Sequence, residues 1–187
     1  MNILIVGNST LARAVQPLLF SHNVSIVGRQ DYDLSLQADC DLLVKHHAHK
    51  TDCVVFTQAV MDKDIWNSIT VNYTSVVYLI TKFYEHMNKG QIIAVSSCSS
   101  NWQSWPGIDM HRMLYGSAKA SLTQFCANLN RKNVPDQAEK EISIQVYEPN
   151  SFASPMSNTE HPITDAAKDL HTLIKDPRIS MLQGLNR

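Results

Sequence analysis

The sequence predicts an α/β fold: a doubly wound parallel sheet between two helical layers, three layers in all. Three observations predict it. Short runs rich in Val and Ile alternate along the chain with longer amphipathic stretches. Most of those runs show little polar alternation, as strands covered on both faces do. Strand–helix alternation of this kind implies parallel pairing with helices on both faces of the sheet. With 187 residues, 44% of them apolar, the chain suits one domain over residues 1–187 with an ordinary buried core.

The elements are taken in chain order. Residues 2–6 are the first strand. The opening is apolar but short, lacks a basic leader and a small-residue cleavage site, and stops at Gly7, so a buried strand explains it better than a signal peptide. A helix is expected over residues 10–20, and a second strand over 24–27. The helix at 36–47 ends among Lys45, His46, His47, His49 and Lys50. Cations at a helix carboxyl end complement its dipole, and no well-spaced carboxylate or cysteine completes a ligand set, so no metal is expected. A strand at 53–57, a long helix at 65–86 and a strand at 92–96 come next. The loop behind that strand carries Trp102, Trp105, Pro106, His111 and Met113 and is expected to lie over the site as a substrate wall or lid. A helix at 115–130 and a strand at 142–147 complete the alternation. The polar stretch 157–166 is expected to leave the substrate pocket open. Leu170, Leu173 and Ile174 mark a helical stripe in the tail, and residues 179–182 could supply an edge strand.

Composition gives several classes no support. Sixteen basic and 17 acidic residues give a formal charge of -1, which provides no general field for nucleic acid or an anionic membrane. No apolar run reaches membrane-spanning length. Cys40, Cys53, Cys98 and Cys126 form no C-x-x-C pair, so neither a zinc site nor a redox dithiol is indicated, and a reducing, cytoplasmic compartment fits.

Ligands of such sheets sit beyond the carboxyl ends of the strands, so the residues just past each strand matter most. The first strand runs into Gly7-Asn8-Ser9-Thr10-Leu11-Ala12-Arg13. Gly7 permits a tight turn, and a helix starting there would aim free N–H groups at a phosphate. Only one glycine of a dinucleotide fingerprint remains, and Leu11 and Arg13 need more room near a pyrophosphate than glycine does. An ordinary strand–turn–helix capped by Ser9 or Thr10 explains the segment equally well. The second strand ends Gly28-Arg29. An acid there would accept from a free ribose 2′-hydroxyl, while an arginine suits a 2′-phosphate, so NADP(H) is favoured over NAD(H), with Asp31 nearby acting against that preference.

Four later segments carry a family resemblance. They are the strand 90–97 ending in Ser96-Ser97, the run Tyr115-Gly116-Ser117-Ala118-Lys119, the helix segment Val71-Asn72-Tyr73, and residues 149–156 beginning Pro149-Asn150. In this order they resemble the short-chain dehydrogenases/reductases, over residues 3–156. The resemblance implies a Rossmann-like fold, a nicotinamide cofactor and a catalytic set of Asn72, Ser97, Tyr115 and Lys119. Cofactor contacts carried over are Gly7, Asn8, Ser9, Thr10 and Leu11 in the first turn, with Arg29 beyond the second strand. Asp33-Leu34 matches an adenine-contacting pair. Thr57-Gln58-Ala59 stands in the place of an Asn-Ala-Gly turn. Tyr115, Lys119, Pro149, Phe152 and Ser154 complete the set. Asn150 replaces a glycine.

The chemistry of that set is intelligible. A tyrosine with a pKa of about 10 is a poor base at neutral pH, and a cation one helical turn away favours its ionised form. Lys119 is therefore expected to lower the Tyr115 pKa and to bond a ribose hydroxyl. Tyr115 exchanges a proton with a carbonyl or alcohol oxygen, and Ser97 donates to the same oxygen. The resemblance has Asn72 hold a water in a proton relay to Lys119. The function implied is an NADP(H)-dependent oxidoreductase interconverting a carbonyl and an alcohol on a small molecule. A non-catalytic dinucleotide sensor or scaffold is the alternative that the depleted glycine turn and short tail favour. A nucleotide-sugar epimerase or reductase shares the Tyr–Lys pair but normally carries a larger carboxyl-terminal domain. The resemblance also implies a homodimer or homotetramer, with Val76, Val77, Ile80 and Phe83 as an outer stripe.

Overall fold

The computed structural model describes residues 1–101, 109–131, 140–151 and 161–176. Five strands, β1 (Asn2–Val6), β2 (Asn23–Val27), β3 (Cys53–Phe56), β4 (Lys89–Val95) and β5 (Glu141–Tyr147), form one parallel sheet in the order β2-β1-β3-β4-β5. Val6 pairs with Val27 on one side and Phe56 on the other, and Phe56 pairs with Ala94. The carboxyl ends of β1, β2 and β3 are thus level, and β1 and β3 flank the point where the winding reverses.

Period-two burial makes the three layers. Ile3, Ile5, Cys53, Val55, Ile93 and Val95 belong to one core, and Leu4, Val6, Val54, Phe56, Ile92 and Ala94 to the other. The first core is closed by α1 (Thr10–Val15) and α6 (Ile163–Lys175), through Leu11, Val15, Leu170 and Leu173. The second is closed by α2 (Gln37–His47), α4 (Ser75–His86) and α5 (Met110–Arg131), through Leu43, Leu79, Phe83 and Leu122. No helix among the described residues is long and apolar enough to cross a membrane.

Four expectations are corrected. The helix expected over 10–20 is α-helical only to Val15 and continues as a 3-10 turn, Gln16–Leu19, because Pro17 has no N–H to donate. The helix expected over 65–86 is α3 (Ile65–Ile69) and α4 joined by a π turn, Thr70–Thr74. The helix expected from Tyr115 begins at Met110, where Asp109 Oδ1 accepts from Arg112 N at 2.9 Å, so His111 and Met113 lie on α5 rather than in a loop. The stripe on α4 faces inward. Val76, Ile80 and Phe83 are buried against the sheet, where Phe83 meets Phe56 edge-on at 6.0 Å, and only Val77 is partly exposed. It offers no outer dimer surface. Trp102, Trp105, Pro106, Phe152, Ser154 and residues 179–182 lie outside the described residues. Within the stretch 157–166, the residues from Ile163 onward belong to α6.

Candidate functional site

The site begins at the turn after β1. Gly7 has φ +104°, and a Cβ placed on it would lie 2.5 Å from Gln58 N. Only glycine allows both the backbone angle and the contact with the loop behind β3. Ser9 caps α1, its Oγ accepting from Ala12 N at 3.1 Å. The crowding expected from Leu11 does not arise there: Leu11 is buried in the core beneath α1, and Arg13 is exposed.

A cavity of about 270 Å³ opens at this level. Gly7, Asn8 and Ser9 line it from the turn, Arg29, Asp33 and Leu34 from behind β2, and Gln58 and Ala59 from behind β3. Thr10, Leu11, Thr57, Tyr115, Lys119 and Pro149 are not among its lining residues. Thr57 instead donates its hydroxyl to Gly7 O at 2.7 Å, tying the two loops together. Arg29 pairs with Asp33 Oδ2 at 3.2 Å with 77% of its side chain exposed. The other carboxylate oxygen of Asp33 accepts from Ser35 N and Oγ, and these bonds, ahead of Arg29, hold the Asp33 pKa down. Asp31 turns its carboxylate onto its own turn, accepting from Gly28 N at 2.8 Å.

Two polar lining residues escape the sequence reading. Tyr32 lies between Arg29 and Asp33, and its hydroxyl bonds His46 Nδ1 at 3.0 Å and His47 Nε2 at 3.2 Å. An aromatic residue so close behind β2 is a readable signal. Asn67, on α3, carries none.

The four residues of the expected catalytic set gather on and around α5. Lys119 is 2% exposed, and its Nζ donates to Val95 O at 2.9 Å and Gln58 O at 3.2 Å while lying 5.8 Å from the centre of the Tyr115 ring. Ser97, just beyond β4, lies beside Tyr115, near enough for its hydroxyl to hold the phenol's pKa down. Its Oγ also accepts from Ser99 N at 3.1 Å. Asn72 is fully buried in the π turn, but its amide is engaged with main chain, donating to Val60 O at 2.6 Å and accepting from Val60 N at 3.0 Å.

Burial dominates the electrostatics. It pushes the Lys119 pKa down to about 8. It raises the Tyr115 pKa, outweighing the Ser97 hydroxyl that lowers it, with Cys98 adding to the rise. The expected lowering at Tyr115 is therefore reversed, because removing the phenol from water disfavours its ionised form.

The loop 57–60 behind β3 joins cavity and catalytic set. Thr57 holds the Gly7 turn, Gln58 O receives Lys119, and Val60 receives Asn72. A second network braces the serine loop. Glu148 Oε1 accepts from Ser100 Oγ at 3.0 Å and from Thr123 Oγ1 at 2.7 Å, and Ser96 Oγ lies between Thr123 and Lys119 O. Pro149 O accepts from Cys98 N at 3.1 Å, which fixes the end of β5 to the same loop. Asn150 does not use a left-handed backbone angle.

Comparison with known proteins places the fold and the family. The family model for short chain dehydrogenases matches residues 36–163, beginning beyond the glycine-poor first turn. No curated protein matches the chain. The NADPH complex of BdcA superposes with a TM-score of 0.76 at 15% identity, over 92% of this chain and 86% of that one. A 3-alpha-hydroxysteroid dehydrogenase from a Pseudomonas species, complexed with NADH, gives 0.75 at 18% identity, over 97% and 92%. A short chain dehydrogenase from Burkholderia cenocepacia, in complex with NADP, gives 0.77 at 12% identity, over 93% and 84%. These likenesses show the fold, and the family match spans more than half of the sequence: the chain belongs to the short-chain dehydrogenase family of oxidoreductases.

Proposed function

We propose that this protein is an NADP(H)-dependent oxidoreductase that interconverts a carbonyl and an alcohol on a small molecule, with Tyr115 as the acid/base. The observation that carries the reading is the convergence of Ser97 and Lys119 on a buried Tyr115. The cavity suits a dinucleotide. A Cβ at Gly7 would meet the Gln58 main chain, so only glycine lets the two loops that line the cavity close on each other, and among the described residues neither polar atom of the buried Gln58 amide has a partner. Asn8 and Ser9 would hold phosphate, Asp33 and Leu34 the adenosine end, and Arg29 a 2′-phosphate. An exposed ion pair contributes little in water, so Arg29 can exchange Asp33 for a phosphate at small cost. The NADPH and NADP complexes of the structural relatives support the preference, and the NADH complex opposes it.

The dinucleotide, when bound, supplies or takes the hydride. The chain does the rest. With its pKa raised, Tyr115 is protonated at neutral pH and holds the proton a carbonyl oxygen needs as the alcohol forms. Ser97 orients the phenol and donates toward the same oxygen. Lys119, anchored to two strand ends, brings a cation beside the ring. Asn72 acts through the loop, fixing Val60 two residues from the Lys119 anchor. Its side-chain amide is bonded to Val60 N and O.

Fluorescence titration with NADPH and NADH tests the reading. NADPH is expected to bind more tightly, and Arg29→Ala to erase the difference. No binding of either nucleotide would sink the dehydrogenase reading, and equal binding would sink the NADP(H) preference. Across a panel of aldehydes and ketones, Tyr115→Phe is expected to abolish turnover with nucleotide affinity intact, because only the exchangeable proton is removed. A wild type that binds but turns nothing over supports a sensor instead.

A further inference from the structure

Glu148 directly follows the last residue of β5, and its carboxylate reaches two other elements at once. Oε1 accepts from Ser100 Oγ at 3.0 Å, in the serine loop behind β4. The same oxygen accepts from Thr123 Oγ1 at 2.7 Å, on α5. Those two elements carry Ser97 and Tyr115, which lie side by side.

The main chain holds the serine loop to the sheet. Ser96 N donates to Tyr147 O at 2.8 Å and Cys98 N to Pro149 O at 3.1 Å, on either side of Glu148. These bonds continue the β4–β5 pairing past the strand ends, but they do not reach the helix. The Glu148 side chain does. Tyr115, Lys119 and Thr123 recur every four residues on α5, so they share a face, and a hold on Thr123 is a hold on the row that carries the phenol. Ser96 Oγ, 2.8 Å from Thr123 Oγ1 and 3.0 Å from Lys119 O, joins the same grip. A carboxylate only accepts, so Ser100 and Thr123 must both aim their protons at it. Hydrogen bonds to an ionised acceptor are about twice as strong as neutral ones. Such a brace matters most where a reacting pair is drawn from two elements, because a displacement of about 1 Å can cost about a hundredfold in rate.

We propose that Glu148 is a positioning residue: its carboxylate grips the serine loop and α5 together and so fixes Ser97 against Tyr115. This rests on the reading of Ser97 and Tyr115 as the reacting pair.

The test reads the pair directly and needs neither nucleotide nor substrate. Tyrosine is labelled with 13C at Cζ, and the Tyr115 resonance is assigned by its loss in Tyr115→Phe. Glu148→Ala is expected to shift that resonance in the same direction as Ser97→Ala, and to add no further shift in the Ser97→Ala background. Glu148→Gln, whose amide oxygen can still accept from both hydroxyls, is expected to restore the wild-type position. With NADPH and the carbonyl panel, Glu148→Ala is expected to lower kcat about tenfold to a hundredfold with NADPH affinity unchanged. A merely structural glutamate would lower Tm and leave the Tyr115 resonance in place, and that result overturns the proposal. A shift that persists undiminished in the Ser97→Ala background overturns it too. Should Glu148→Ala not fold, Ser100→Ala and Thr123→Val each remove one of the two bonds and are read in the same way. The expected shifts in a protein that binds no nucleotide support the brace and defeat the dehydrogenase reading alone. Wild-type turnover with an unmoved resonance defeats only the inference about Glu148.

Discussion

Lys119 illustrates how one side chain can serve a site and burden the fold. Its ammonium is buried with two carbonyl oxygens and, among the described residues, no carboxylate bonded to it, and burial lowers its pKa to about 8 from an ordinary 10.5. Between those values the unfolded chain binds more protons than the folded one, so stability rises with pH across that window. Below it the full cost of the buried charge is present. The difference in unfolding free energy between wild type and Lys119→Met is therefore expected to shift in favour of the wild type as pH rises from 8 to 10.5, by on the order of 3 kcal/mol. Urea unfolding at several pH values measures it, and a flat difference would show that the ammonium is not desolvated as its surroundings imply. The same balance explains why spacing alone misjudges the Tyr115 pKa. A Tyr-x-x-x-Lys run reveals the neighbouring cation but not the burial, and burial decides the sign. Residues such as Tyr115, Lys119 and Gly7 are legible because their chemistry is local. The unpaired state of the Gln58 amide is not, since it depends on what fails to surround it.

At the scale of elements, the informative departure is the π turn that splits the helix expected over 65–86. Apolar residues recur at helical spacing through the segment, at Ile65, Ile69, Tyr73, Val76 and Ile80, so periodicity gives no warning of a widened turn. π turns occur mostly within α-helices and often at functional sites. Here the widened turn carries Asn72, whose amide bonds both main-chain groups of Val60. The turn thus works as a clasp on the loop that also receives Lys119. Asn72→Ala leaves Val60 N and O without these partners and is expected to cost about 1–3 kcal/mol. Denaturant unfolding would register it as a lower midpoint with an unchanged slope. An unchanged midpoint would show that Asn72 has no part in bracing the loop. The early start of α5 has a clearer sequence signal than the π turn does. Asp109 stands three residues before Arg112, in the pattern of a helix cap, but the aromatic residues before it pull the expected boundary too late.

The whole molecule is legible to the extent that each strand is buried on both faces, since the strand runs, their parallel pairing and the three layers all derive from that pattern. What single residues do not convey is which helix covers which face. Val76, Ile80 and Phe83 look like an outer stripe until α4 is laid on the sheet, where they meet Leu4, Val54 and Ile92 in one core. The opposite core is separate, with Leu170, Leu173 and Ile174 of α6 packed beside α1. One sheet forms the wall between the two, and this geometry makes a definite claim about cooperativity. Ile80→Val removes one methylene from the first core and Ile174→Val one from the second, each at a cost of about 1 kcal/mol. Ile80 and Ile174 belong to different clusters, so the double variant is expected to lose the sum within about 0.5 kcal/mol. All three variants should unfold in a single transition, because neither face of a central sheet can be stripped while the other stays packed. Calorimetry on the ligand-free protein decides the matter. Two resolved transitions, or a double variant departing from the sum by more than about 1 kcal/mol, would mean that the two cores are not joined through a sheet as rigid as its continuous pairing implies.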